Sequence, residues 1–214
     1  MNSIEMIVYD FDGTLVDTRK DIANAVNRVF VELGLSTLPH ETISGHIGRG
    51  VQYLMSSSLE GTGFKDLPRA TDLFMKHYEA HLMENTGFYP NGRETVLAFS
   101  NKQQSILSNK PHRFITQILE HLDCTAPFCS IIGGDNLEHK KPDPIGLLHI
   151  MKEFHLEPHQ LVMVGDSLVD MEAGQRAGVP TCGISYGHAG REALEATKPD
   201  WIIDDLAELP QLLQ

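Results

Sequence analysis

The chain has 214 residues, 41% of them hydrophobic and 21% charged, which is enough for one large domain or two smaller ones around real cores. Its formal net charge of −12 argues against a surface for nucleic acid or anionic membrane, since both need concentrated Lys and Arg. An acidic chain that handles phosphates must supply local cations, either a few basic side chains or a metal.

The first apolar run, residues 4–9, reads as a strand buried on both faces, and it stops at Asp10-Phe11-Asp12-Gly13-Thr14. Helical signals then fill residues 18–33 (closed by Gly34), 39–46, 50–59 and 66–83, with Ile22, Val26, Val29, Phe30 and Leu33 forming one stripe. From there strands and helices alternate. Helices are expected over 92–100, 111–122, 144–154, 170–177 and 191–197, and strands over 105–108, 130–132, 161–164, 181–185 and 201–203. This order predicts an α/β fold, a doubly wound parallel sheet with an inserted α-helical cap. The core is expected to comprise residues 1–14 and 88–214 and the cap residues 15–87, joined by linkers near 15–17 and 84–88 that let it open and close as a lid.

Four short motifs carry chemistry. Asp10 and Asp12 leave the first strand at the edge where open α/β sheets bind ligands. A carboxylate there can act as a covalent nucleophile while its neighbour moves protons. Ser108-Asn109-Lys110-Pro111 follows the second core strand, Lys140-Lys141-Pro142-Asp143-Pro144 opens a helix, and Gly165-Asp166-Ser167 is followed by Asp170. In a parallel sheet these turns gather at one edge. Each motif also has a plain structural reading: a solvated strand-to-turn junction, a helix cap, a loop lysine, or an acid at a helix start. Three cysteines without C-x-x-C spacing indicate free thiols, and eleven histidines show no ligand pattern. Residues 1–4 carry no basic region and no apolar run reaches bilayer length, so the expected location is cytoplasmic.

Taken together, the motifs resemble those of the haloacid dehalogenase superfamily, in its phosphatase branch with a helical cap. The resemblance covers essentially the whole chain. Asp17-Thr18-Arg19-Lys20-Asp21-Ile22, Ile47-Gly48-Arg49-Gly50-Val51 and Lys141-Pro142-Asp143-Pro144 are most similar to phosphoglycolate phosphatases. That resemblance implies Asp10 as nucleophile, Asp12 as proton donor and acceptor, Ser108 on a phosphoryl oxygen and Lys141 on the developing charge. It implies Mg²⁺ held by Asp10, the Asp12 carbonyl and Asp166, with Asp170 just behind. Asn109, Arg49 and Gly50 are the candidate substrate contacts, with His46 and Lys20 as further ones.

The implied substrate is a small-molecule phosphate ester, phosphoglycolate first, handled by a monomer or homodimer with no nucleic-acid or membrane partner. A sugar phosphomutase, a pyrophosphatase and a catalytically silent phospho-ligand sensor are the competing readings. Dehalogenation has no use for Asp12. Two departures from the family pattern, Ile145-Gly146 after Lys-Pro-Asp-Pro and Pro90-Asn91-Gly92, are expected to change loop and helix-start shape only.

Overall fold

A computed structural model describes residues 4–213; the expectation about residues 1–3 lies outside the described residues. Strand β1 (Met6–Tyr9) is wholly buried, and its side chains divide between two cores by the two-residue period of a strand. Ile7 and Tyr9 pack with Ile106, Val162 and Phe114 on one face, and Met6 and Val8 with Leu107, Met163 and Leu147 on the other. That two-sided burial is why the run lacks polar alternation.

The sheet is completed by β4 (Gln103–Leu107), β5 (Ser130–Ile132), β6 (Leu161–Gly165), β7 (Thr181–Ile184) and β8 (Trp201–Ile203). All six strands run parallel in the order β5-β4-β1-β6-β7-β8. Tyr9 pairs with Ile106 on one side and Val164 on the other, so Asp10, Ser108 and Asp166 emerge from three neighbouring strands at the same edge. Helices α5 (Gly92–Ala98), α6 (His112–His121), α7 (Ile145–Phe154), α8 (Leu168–Ala177), α9 (Arg191–Ala196) and α10 (Leu209–Leu212) accompany the strands.

Four helices lie between the first strand and the rest of the sheet: α1 (Arg19–Glu32), α2 (His40–Ser44), α3 (Val51–Ser58) and α4 (Leu67–His81). The stripe on α1 buries Ile22, Val26, Val29 and Phe30 in one core with Phe74 and Tyr78 of α4, and Leu33 packs at its margin. The chain enters and leaves this block through a two-stranded antiparallel ribbon, β2 (Val16–Asp17) with β3 (Gly87–Phe88). The sequence reads these segments as linkers, because two-residue strands carry no periodicity. Asp21, buried at the start of α1, accepts hydrogen bonds from the Asn85 and Thr86 amides and from both of their side chains.

The two departures have local consequences. A Cβ on Gly146 would sit 2.5 Å from Leu107, so the glycine lets α7 approach β4. Asn91 takes a positive φ of 60° and donates from its side chain to Asp205. Among the described residues no helix is long and apolar enough to cross a membrane, and the three cysteines are free thiols.

Candidate active site

The turn after β1 puts two carboxylates into different surroundings. The Asp10 Oδ1 atom accepts from the Phe11 amide at 2.7 Å and faces the Lys141 ammonium at 2.9 Å, while no hydrogen bond among the described residues falls on Oδ2. Asp12 Oδ1 accepts from the Thr18 hydroxyl at 2.7 Å and from Lys110 at 3.0 Å. Gly13 makes the turn possible: its φ is +89°, and a Cβ there would strike both Asp166 and His188.

Lys141 bridges Asp10 and Asp170, whose Oδ1 lies 2.6 Å from its ammonium. The other Asp170 oxygen accepts from the Ser167 amide and hydroxyl, closing a capping box at the start of α8. The helix-cap reading of Asp170 and its place beside Lys141 are therefore both realised, one on each oxygen. Asp166 is fully buried; Thr14 donates to its Oδ1 at 2.9 Å, and the His188 amide and Nδ1 reach its Oδ2 at 2.6 and 2.7 Å.

Electrostatics follow from this crowding. Burial, then the neighbouring Asp170 charge, pushes Asp10 up to about 7 against the pull of Lys141. Burial works against the Lys141 ammonium, but Asp10 and Asp170 outweigh it and hold its pKa above the ordinary lysine value. Burial also works against an ionised Asp166, and the His188 contacts outweigh it, leaving that carboxyl below the usual range. Asp10, Asp166 and Asp170 bring carboxylate oxygens within 4.8 Å of one another. An all-oxygen donor set with more negative charge than Lys141 balances fits a hard divalent cation such as Mg²⁺. Asp10 and Asp166 are placed to hold it, with the Asp12 carbonyl on the same turn.

Above Asp10 lies a cavity of about 40 Å³, room for roughly three waters. Asp10, Asp12, Ser108, Asn109 and Lys110 line it from the sheet edge, and Ile22, Ile47, Gly48, Gly50, Val51, Leu54, Phe74 and Tyr78 from the helical block. The expected residues Asp10, Asp12, Ser108, Asn109, Gly50, Lys141, Asp166 and Asp170 are thus brought to one site. Asn109 lines the cavity and is also engaged by the backbone around it. Its amide donates to the Gly48 and Lys141 carbonyls, both at 2.9 Å, and so links the helical block to the lysine loop. Arg49 is not brought in: it is exposed, with its guanidinium 5.1 Å above the Tyr53 ring, because the Gly48–Gly50 turn directs it outward. His46 faces Ser58 inside the block, and Lys20 lies in a separate cleft with His40 and His188.

Sequence reasoning missed Lys110, Thr14, Thr18, Tyr78 and His188. For Lys110 a signal existed, since it lies two residues after Ser108 in a motif already singled out. His188 had none among the scattered histidines.

Comparison with known proteins agrees with this fold. A family model described as haloacid dehalogenase-like hydrolase matches residues 7–184. A phosphoglycolate phosphatase of Nitrosospira multiformis is 37% identical, covering 99% of this chain and 96% of that one. One from Pseudomonas putida is 37% identical over 95% of this chain and 78% of its own. A crystal structure of a predicted phosphoglycolate phosphatase from Haemophilus somnus superposes with a TM-score of 0.94 at 27% identity, covering all of both chains. A matched stretch running from inside β1 to the end of β7, together with relatives of this identity along nearly the whole sequence, makes the chain a member of the haloacid dehalogenase-like hydrolase family.

Proposed function

We propose that this phosphatase hydrolyses 2-phosphoglycolate, or a phosphate ester of closely similar size and charge, through an aspartyl-phosphate on Asp10. The observation that carries the reading is the division of labour in the turn after β1. Asp10 has one oxygen fixed by the Phe11 amide and Lys141 and the other without a partner among the described residues, while Asp12 faces the same cavity from a hydrogen-bonded position of its own.

In the first step the free Asp10 oxygen attacks phosphorus in line, and the bond from phosphorus to the leaving oxygen breaks. Asp12 gives its proton to that oxygen, releasing glycolate. In the second step a water attacks the same phosphorus, the bond to Asp10 breaks, and Asp12 takes the water's proton as inorganic phosphate forms. Ser108, in the cavity lining, hydrogen-bonds a phosphoryl oxygen. Lys141 keeps Asp10 ionised and aimed. Asp10, Asp166 and the Asp12 carbonyl would hold Mg²⁺, which would supply compensating charge for the phosphoryl group.

The helical block walls the cavity above Asp10 and joins the sheet through the two-stranded ribbon, so it acts as a lid that opens on that ribbon and shuts over the substrate. A panel of phosphate esters assayed with Mg²⁺ and with EDTA tests the reading. Phosphate release from phosphoglycolate that vanishes in EDTA and returns with Mg²⁺ is expected. No release from any ester with Mg²⁺ present overturns it.

A further inference from the structure

The cavity wall contributed by the helical block is largely apolar, with Ile47, Leu54 and Phe74 among its side chains. Two polar groups interrupt the enclosure, and they touch each other: the Lys110 ammonium lies 2.8 Å from the Tyr78 hydroxyl and 4.5 Å from the centre of its ring. Both residues are buried. An ammonium has no lone pair to offer, so the hydroxyl must accept this bond and keep its own proton for another partner. Among the described residues no acceptor takes that proton. Burial, then the Asp12 and Asp21 charges, holds the phenol well above its ordinary pKa, so it stays a donor. A buried donor without an acceptor is unfavourable unless something in the cavity meets it.

Charge points the same way. Among the described residues Lys110 is the ammonium in the cavity lining, paired there with Asp12; Lys141 is held between two carboxylates, Asp10 and Asp170, and Arg49 lies outside. Lys110 also sits 3.0 Å from Asp12, the group that must reach the leaving oxygen. A carboxylate one carbon away from that oxygen therefore falls beside Lys110 and Tyr78, in low-dielectric surroundings where a charged hydrogen bond is strong.

We propose that Lys110 and Tyr78 together receive the second anionic group of the substrate, the carboxylate of the leaving group, and so select anionic phosphate esters over neutral ones. This assignment rests on the phosphatase reading above. It gives the two residues a role in specificity, beyond the hydrogen bond that Lys110 makes to Asp12.

The test compares kcat/KM of the Mg²⁺-loaded protein for 2-phosphoglycolate and for ethyl phosphate, in the wild type and in the variants Tyr78→Phe and Lys110→Met. The wild type is expected to prefer phosphoglycolate by at least about 100-fold. Tyr78→Phe should lower that ratio about tenfold and Lys110→Met by more, as expected for donors to a charged group. General damage to the phosphoryl site lowers both substrates together and leaves the ratio in place. Should Lys110→Met not fold, Tyr78→Phe keeps the ring packing and decides the matter alone. An unchanged ratio in Tyr78→Phe, or a wild type indifferent between the two esters, overturns the assignment while leaving the phosphatase reading intact. Release from neither ester by the wild type overturns the assignment, and release from no ester of the wider panel overturns the phosphatase reading with it.

Discussion

Replacing Asp10 by Asn should abolish turnover and at the same time stabilise the metal-free protein. The Asp10 carboxyl is fully enclosed, beside Asp170 and Asp166, and is pushed from 3.8 up to about 7. A carboxyl whose folded pKa exceeds its unfolded value is stabilising in its protonated form. Its contribution is complete below the unfolded pKa and is lost as pH rises through the folded one. At pH 8 the ionised side chain therefore withdraws about 4 kcal/mol, at pH 5.5 about 2, and at pH 4 less than about 1. Asn keeps the oxygen that accepts from the Phe11 amide and removes the charge. In EDTA at pH 8 the variant should melt on the order of 10 °C higher than the wild type, with the gap closing towards pH 4. Added Mg²⁺ should narrow it, because binding stabilises the wild type by mass action. Thermal and urea unfolding at the three pH values measure all of this. A variant no more stable than the wild type at pH 8 in EDTA, or a gap independent of pH, refutes the electrostatic account of the site.

Lys141→Met removes the cation between Asp10 and Asp170 and should destabilise the protein by about 3–5 kcal/mol in urea at pH 8, with less loss at pH 5.5 as Asp10 takes up a proton. Its kcat should fall by at least about 10²-fold. Asp12→Asn should lower kcat on phosphoglycolate by about 10²–10⁴-fold. With p-nitrophenyl phosphate, whose leaving group needs no proton, the same variant should still form the aspartyl-phosphate and show a stoichiometric burst in rapid-mixing kinetics. Asp21→Ala strands the Asn85 and Thr86 donors and should cost about 2–4 kcal/mol by urea unfolding.

Much of the sheet could be read from the residues because its strands are covered on both faces, leaving unbroken runs such as Met6–Tyr9. Parallel pairing then fixed where the turns go, so Asp10, Ser108 and Asp166 meet without any contact having to be guessed. What could not be read depends on how one element faces another. Lys110 is buried because Tyr78, on a helix of the inserted block, comes to lie against it, and lysine by itself argues for solvent. Arg49 lies outside the cavity lining for the converse reason: the flanking glycines mark the right turn, but side-chain direction is set by backbone angles that the residue names do not disclose. The pairing of Val16–Asp17 with Gly87–Phe88 joins segments far apart in sequence and too short to carry a pattern.

The Asn109 side chain holds two protons in one planar group and divides them between the lysine loop and the Gly48 turn. Moving the block away would release the second while the first stays bound, so the side chain would keep its orientation and wait as a ready-made catch. The released groups would meet water, making the net loss from that contact only about 1 kcal/mol. On the proposed lid motion, a latch so shallow would leave the balance between open and shut to whatever occupies the space beneath it, so that arrival of the right ester, more than the empty protein, would decide when solvent is expelled.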